Sequence, residues 1–357
     1  MALTAQTHRP PRPGELLFVC HPGIERWVCL GKSDMLIRHA FVDDADLDPK
    51  RSPALLAQVL LLPFADMIRS AERLTVIGYG ALREIDIHLL PFDTELAICQ
   101  APPESRLCQG FSRPLISQLD VVYAQDLPGR VRAKRQELAS NDRVAYLLFD
   151  PRGRTPEIQA TATSISDAVA AAGFRIVRQG LGARFYGGEE GNFVRPRQEK
   201  VLRGEELRRM IAQSALFHAS THTEYAPSGG WRHELPLSDD SGLLLSDILT
   251  LPRVPAAVTL FTCESGRTVE EWGNVEGLGL AQAFLSRGSE WVLGASRLVS
   301  PAASASAAKL FYEEFSRTHD AARALRYLVE HSGLDRVTQA LPVTQNEDVR
   351  AFRLYVP

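Results

Sequence analysis

Two stretches of the chain decide the fold, ALFHASTHTE (215–224) and AVTLFTCESG (257–266). Each begins with an apolar run of strand length and ends in polar residues, a pattern typical of a strand buried on both faces of a parallel sheet. Further runs of this kind, separated by helical patterns, lie at 144–149, 174–179, 290–296 and 352–356. Strands alternating with helices predict an α/β fold in which helices flank both faces of a mostly parallel sheet.

The N-terminal part of the chain has a different pattern. An amphipathic helix is predicted from 53 to about 71, among short strands at 15–21, 26–31, 35–42, 73–80, 94–99 and 119–124. We expect residues 1–14 to be a flexible lead, 15–142 a β-rich α/β supporting domain, and 143–357 the domain that carries the chemistry. The boundary is placed in the charged segment 128–142. Helices of the second domain are predicted near 157–172, 204–213, 276–287, 303–316 and 320–332.

The composition excludes several classes of protein. Of the 357 residues, 45% are hydrophobic and 23% charged, which is too apolar for a disordered chain. The net charge of −3 gives no basic field, so we expect no direct nucleic-acid partner and no membrane partner. No signal-peptide core precedes residue 15, so a cytoplasmic location is expected. An odd, scattered set of cysteines predicts a reducing compartment without a disulfide framework: Cys20, Cys29, Cys99, Cys108 and Cys263.

Chemistry-bearing residues follow two of the predicted strands, His222 after the first and Cys263 after the second. Because parallel strands end at the same edge of a sheet, the two side chains are expected to lie side by side. A thiol becomes a nucleophile as its thiolate, and an imidazole is a suitable base near neutral pH. We expect Gly266 to permit a sharp turn after Cys263, leaving backbone N–H groups of Thr223 and Cys263 to stabilise an oxyanion.

Structural roles compete with these functional ones. Cys263 could be an inert core thiol and His222 a satisfied strand-end histidine. His218 and His222 have the spacing of a metal pair, but on a strand they are about 13 Å apart, so no metal is expected and His218 is interpreted as structural. Glu264 could acidify the site, bind a substrate amine or cap a helix.

Several segments resemble CHAT-domain proteases, members of the caspase-like cysteine peptidase clan related to separase. The Cys motif of that family commonly reads SACETG, and TCESG (262–266) keeps its Cys, Glu and Gly in register. The other matching segments are 215–224, SGLLLSDILTL (241–251), NVEGLGLAQAFLSRGSEWVLGAS (274–296), AAKLFYEEFSRTHDAARALRYL (307–328) and ERLTVIGYGALREIDIHLLPF (72–92). The resemblance implies a caspase-like sheet in the second domain and an N-terminal part that supports it without chemistry.

The chain departs from that family at three points. Thr223 stands where the family usually has Gly after the histidine, and a β-branched residue restricts the turn. ASRLV (295–299) stands where the family often has SLWPV, which would put Arg297 near the substrate edge. The strict caspase motif, QAC followed by one residue and Gly, is absent because Gly266 comes three positions after Cys263.

These observations predict a cysteine endopeptidase with a His222–Cys263 dyad, without metal or organic cofactor. The resemblance implies a specific protein substrate, a role in bacterial defence or cell death, and a separate regulatory or sensor protein or ligand. The alternatives are a catalytically idle caspase-like scaffold and a small-molecule acyl-transfer enzyme with the same dyad.

Two finer predictions concern the rim of the site and its activation. Arg297 could favour an acidic residue before the cut, or could instead pair with Glu264 or the acidic loop 239–240. The interval from Glu264 to Ser289, where caspases are commonly cut, contains no Asp and includes a predicted helix. We therefore expect the active form to be a single uncut chain, switched by a partner or ligand.

Overall fold

The computed structural model describes residues 11–23, 26–92, 113–124, 143–180, 185–186, 204–223, 234–238, 241–266, 279–332 and 351–357. The chain divides into two compact units. The first contains Met1–Asp126 and Val329–Val343, and the second contains Leu127–Leu328 and Thr344–Pro357. The predicted boundary at 128–142 and the predicted strand at 94–99 lie outside the described residues.

The first unit contains a five-stranded mixed sheet, ordered β3-β2-β1-β4-β5. β1 pairs with β2, and β2 with β3, in antiparallel fashion, whereas β1–β4 and β4–β5 are parallel. Alternating burial along β2 shows that its two faces lie in different environments. The strands are β1 Glu15–Pro22, β2 Trp27–Lys32, β3 Ile37–Val42, β4 Arg73–Gly78 and β5 Asp120–Ala124.

The predicted helix at 53–71 is two helices, α1 (Pro53–Leu60) and α2 (Ala65–Ser70). The Ser52 hydroxyl accepts from the Leu55 N–H at the start of α1, whereas Pro63, which has no backbone N–H, lies in the 3₁₀ turn Leu62–Phe64 between the helices. The stretch Pro53–Ser70 has a mean hydropathy of 1.2, within the range of a membrane span, and 44% of it is buried. Buried core helices share these properties, so the stretch is weak evidence for a membrane span.

The expectation of a protein without disulfide bonds is wrong for two of the five cysteines. Cys20 on β1 and Cys29 on β2 are directly opposite one another and form a disulfide bond. Both are fully buried. Residues only nine apart in sequence meet in this way because the two strands form a tight antiparallel hairpin, a register that cysteine spacing alone does not reveal.

The second unit contains a seven-stranded sheet, ordered β14-β13-β12-β9-β6-β7-β8, and a separate β10–β11 hairpin. The pairs from β13 to β7 are all parallel, whereas β14 is antiparallel to β13 and β8 is antiparallel to β7. The prediction of a mostly parallel sheet is therefore confirmed. The strands are β6 Val144–Phe149, β7 Arg175–Gln179, β8 Phe185–Tyr186, β9 Leu216–Ser220, β10 Glu234–Pro236, β11 Gly242–Leu244, β12 Ala257–Phe261, β13 Trp291–Ala295 and β14 Phe352–Val356.

Helices flank both faces of this sheet, as predicted. Tyr312 of α7 hydrogen-bonds Thr259 on one face of the sheet, and Phe284 of α6 contacts Phe217 on the other. Ser300 caps α7 by accepting from the Ala303 N–H, with proline following at the first helical position. The helices of this unit are α3 Pro156–Ala171, α4 Gly204–Gln213, α5 Leu245–Thr250, α6 Leu280–Ser286, α7 Pro301–Thr318 and α8 Ala321–His331.

Candidate active site

The two strands that precede the predicted dyad are direct neighbours. β9 pairs with β12 in parallel, and the last pair in the register is Ser220 with Phe261. His222 and Cys263 each follow that pair by two residues, so both lie at the same edge of the sheet. Both are half-buried, which leaves part of each residue accessible to a substrate.

Thr223 joins the two strand ends. Its side-chain hydroxyl donates a short hydrogen bond to the carbonyl oxygen of Cys263. Thr223, which stands where the family usually has Gly, therefore links the loop after β9 to the loop after β12 by a hydrogen bond. A glycine at this position could not make that bond.

The thiol of Cys263 donates to the carbonyl oxygen of Val299, with an S···O distance of 3.3 Å. This contact favours the protonated thiol, because a thiolate has no hydrogen to donate and is repelled by the carbonyl oxygen. In this structure the Cys263 sulfur therefore contacts the loop that follows β13.

The turn after Cys263 differs from the predicted one. The residue in the left-handed region is Glu264, with φ of 51°, not Gly266. The N–H groups of Glu264 and Gly266 are also occupied, by the carbonyl oxygens of Arg297 (3.0 Å) and Ala295 (2.8 Å). These two N–H groups are therefore not available to an oxyanion.

Gly266 is required for a different reason, the close approach of Tyr355 on β14. A Cβ built on Gly266 would lie 2.5 Å from the tyrosine hydroxyl oxygen. Real Cβ atoms do not reach such distances, so any larger residue would displace the tyrosine. The sequence motif identified the glycine correctly but its physical role wrongly.

Buried polar residues that the sequence analysis did not single out anchor this turn. The Ser265 hydroxyl donates to the carbonyl oxygens of Leu260 and Thr262 and accepts from the Ala295 N–H. Gln282 of α6 donates to the Gly266 carbonyl oxygen at 3.1 Å. A serine directly after the Cys-Glu pair was visible in the sequence, but its three partners are backbone groups that only the fold brings together.

His218 lies on β9, on the same strand face as Ser220, and is fully buried. Its Nε2 lies 2.9 Å from the Ser220 hydroxyl, and its Nδ1 lies 3.0 Å from Thr259 Oγ1 and 3.3 Å from the Tyr312 hydroxyl. Burial lowers the pKa of this imidazole to about 3, because a charged ring would lose its hydration. His218 is therefore neutral and structural, in line with its interpretation from sequence.

The other predicted site residues lie around the same turn. The Thr223 N–H donates to no acceptor in the part of the chain that the structure describes, which suits an oxyanion donor. The Arg297 residue is exposed, its carbonyl oxygen accepts from Glu264, and Glu264 is half-buried. Among the described residues no group of three or more His, Cys, Asp or Glu side chains is arranged to hold a metal ion. The roles of Arg297 and Glu264 in substrate binding stay predictions.

The fold and the site define an α/β protein that presents a cysteine and a histidine at the ends of neighbouring parallel strands. The chain belongs to the CHAT domain family, whose sequence profile matches residues 50–329. A comparison with curated protein sequences finds no match.

Solved structures similar to the chain include two of gingipains and one of separase. The complex of Porphyromonas gingivalis RgpB pro- and mature domains has 9% identity and a TM-score of 0.45, and the match covers 84% of this chain and 69% of that one. The Arg-specific cysteine proteinase gingipain R has 9% identity and a TM-score of 0.47, with coverage of 84% and 68%. The Saccharomyces cerevisiae separase–securin complex has 14% identity and a TM-score of 0.43, with coverage of 80% of this chain and 15% of that chain.

Proposed function

We propose that the protein is a cysteine endopeptidase that uses Cys263 and His222. The observation that carries the proposal is the placement of these two residues, each two positions past the last pair of neighbouring parallel strands, with Thr223 bridging the two ends. Membership of the CHAT domain family supports it, because the sequence resembles the proteases of that family over the same strand ends.

The proposed reaction begins when the thiol leaves the Val299 carbonyl and gives its proton to His222. The thiolate attacks a peptide carbonyl carbon, and the backbone N–H groups of Thr223 and Cys263 stabilise the resulting oxyanion. The His222 imidazolium protonates the leaving amine as the C–N bond breaks, leaving a thioester on Cys263. Water, deprotonated by the same imidazole, hydrolyses the thioester and returns the thiol.

The finer parts of the proposal concern substrate and control. We propose a specific protein substrate, contacted at the rim of the site by Arg297 and Glu264, and a cytoplasmic role in bacterial defence or cell death. We propose further that a separate regulatory protein or ligand controls the enzyme by changing the contact between the Cys263 sulfur and the Val299 carbonyl oxygen.

The first experiment separates an enzyme from an idle scaffold. A thiol-reactive peptide ketone is incubated with the protein, and modification is mapped by intact mass and peptide sequencing. We expect selective labelling of Cys263, strongly slowed by His222→Ala and absent in Cys263→Ala, whereas Cys99→Ser and Cys108→Ser serve as cysteine controls that label normally. If Cys263 is labelled no faster than a cysteine in an unfolded peptide, the result supports the catalytically idle scaffold.

The second experiment separates a peptidase from a small-molecule acyl-transfer enzyme. New protein termini are sequenced in cell lysate after addition of the wild-type protein or Cys263→Ala. We expect a small set of termini that depends on Cys263. Selective labelling without any new terminus would favour the acyl-transfer enzyme.

A further inference from the structure

A cavity of about 610 Å³ opens at the opposite edge of the second unit's sheet from Cys263. Its position follows from Val144 and Arg175, which are the first residues of β6 and β7. Cavities of this size are typical of small-molecule sites. Its lining includes Arg175, Arg209 and Arg253, together with Val144, Val177 and Met210.

Three arginines and no acidic residue line this cavity. Arg175, Arg209 and Arg253 make no side-chain hydrogen bond and no ion pair with any residue that the structure describes. Other described arginines near strand ends have such partners, for example Arg26, just before β2, with Asp43 at 3.0 Å. Three like charges around one cavity repel one another, and an anion between them would remove that cost.

Arg175 and Arg209 are exposed and Arg253 is half-buried, so water solvates each guanidinium group and none of them by itself requires a ligand. Arg209 lies near the middle of α4, outside the last turn where the helix dipole favours a cation. Arg175 begins a strand and Arg253 lies in the loop after α5, and the dipole of α4 gives no reason for either. Convergence of all three on one cavity is therefore the observation that points to a ligand.

We propose that this cavity binds an organic phosphate, with the phosphoryl groups between the three arginines and an apolar or aromatic body against the floor. Guanidinium groups bind phosphate oxygens through paired N–H donors, more strongly than they bind neutral groups. Val144, Val177 and Met210 also line the cavity and form its apolar floor. The proposal is independent of the proposed peptidase, because none of these residues belongs to the Cys263 site.

The experiment is isothermal titration calorimetry of the full chain with three probes: ATP without divalent cation, tripolyphosphate and adenosine. We expect saturable binding of ATP and tripolyphosphate that weakens as salt is added, tighter binding of ATP than of tripolyphosphate, and no binding of adenosine. The double variant Arg175→Gln/Arg209→Gln should weaken binding of both anions roughly tenfold or more. The matched control Arg323→Gln, an exposed arginine of α8 that pairs with Glu314, should bind as the wild type does.

Several results would overturn the proposal. They are the absence of saturable binding by ATP and tripolyphosphate, an unchanged affinity in the double variant, and adenosine binding as tight as that of ATP. Equal affinities for tripolyphosphate and ATP would refute the role of the apolar floor. If the double variant does not fold, phenylglyoxal modification of the wild type decides: ATP should protect Arg175, Arg209 and Arg253 but not Arg323, and lack of protection refutes the site.

Discussion

Thr223 is the residue whose role changed most between sequence and structure. A departure from the family's glycine could be taken as damage to the site, yet its hydroxyl bonds the Cys263 carbonyl oxygen and links the two strand ends. Thr223 is therefore a positioning residue for the candidate dyad as well as a candidate oxyanion donor through its N–H.

The positioning role is tested with Thr223→Val, which keeps the shape of the side chain and removes the hydroxyl. Loss of one hydrogen bond should lower the free energy of unfolding by about 1 kcal/mol, and the Cys263 labelling rate should fall roughly tenfold as the strand ends lose their alignment. Thr223→Ser keeps the donor and should restore both quantities. Denaturant unfolding and labelling kinetics measure them, and equal behaviour of the Val and Ser variants would contradict the bridge.

His218 makes the stability of the protein sensitive to acid. Its folded-state pKa is lowered to about 3 by burial, against an ordinary value near 6.5 for the unfolded chain. Between these values the unfolded state binds a proton that the folded state does not, so protonation favours unfolding as pH falls. Above pH 6.5 this contribution to stability is fully present.

We expect the free energy of unfolding to decrease by up to about 1.4 kcal/mol per pH unit from this residue as pH falls below about 6.5. His218→Gln keeps hydrogen-bonding capacity toward Ser220 and Thr259 but does not titrate, so its pH dependence should be flatter. Urea unfolding from pH 7.5 to pH 4.5 measures both slopes. Identical slopes would show that His218 does not control acid stability.

At the scale of the element, helix α6 limits where the chain can be cut. Residues 280 to 285 are all buried, including Leu280 and Phe284, and Gln282 holds the turn after Cys263. A break within the helix would release such side chains, each worth roughly 1.5–3 kcal/mol when buried. It would also remove an anchor of the candidate nucleophile.

We therefore expect the active enzyme to be one uncut chain. Intact-mass spectrometry of the protein during turnover should show the full-length mass, with activity proportional to that species. A variant with a foreign protease site inserted within α6 supplies the control, since cutting it should abolish activity. Activity that arises only after a natural break between residues 264 and 289 would refute the expectation.

Local patterns predicted most elements within one or two residues. The apolar runs gave β6 and β14 at their observed bounds and α4 at Gly204–Gln213. The exceptions are segments where periodicity carries little information. Pro63 interrupts an apolar stretch that otherwise has helical periodicity, and the β10–β11 hairpin has strands of only three residues.

At the scale of the whole molecule, the Cys20–Cys29 disulfide disagrees with the expected cytoplasmic location. A reducing compartment would keep both thiols reduced, whereas in the structure a disulfide bond joins β1 to β2 through them. The oxidised chain has a more restricted unfolded state, which raises the stability of the folded form.

We expect full reduction to lower the free energy of unfolding by roughly 2–3 kcal/mol. Denaturant unfolding with and without dithiothreitol measures the difference. The double variant Cys20→Ala/Cys29→Ala is the control, because its stability should not respond to the reductant. An identical response of wild type and variant would mean that the disulfide does not form in solution.

The sequence by itself determined the order and type of most elements, the parallel sheet, the family and the two strand ends that carry His222 and Cys263. Each of these depends on the periodicity of nearby residues or on motif residues close together in the chain. The tertiary structure decided which partners those residues have. Gly266 is needed because of Tyr355, 89 positions later, and the Cys263 sulfur is held by Val299. Such contacts depend on the register between strands that are distant in sequence. Local sequence patterns do not determine that register.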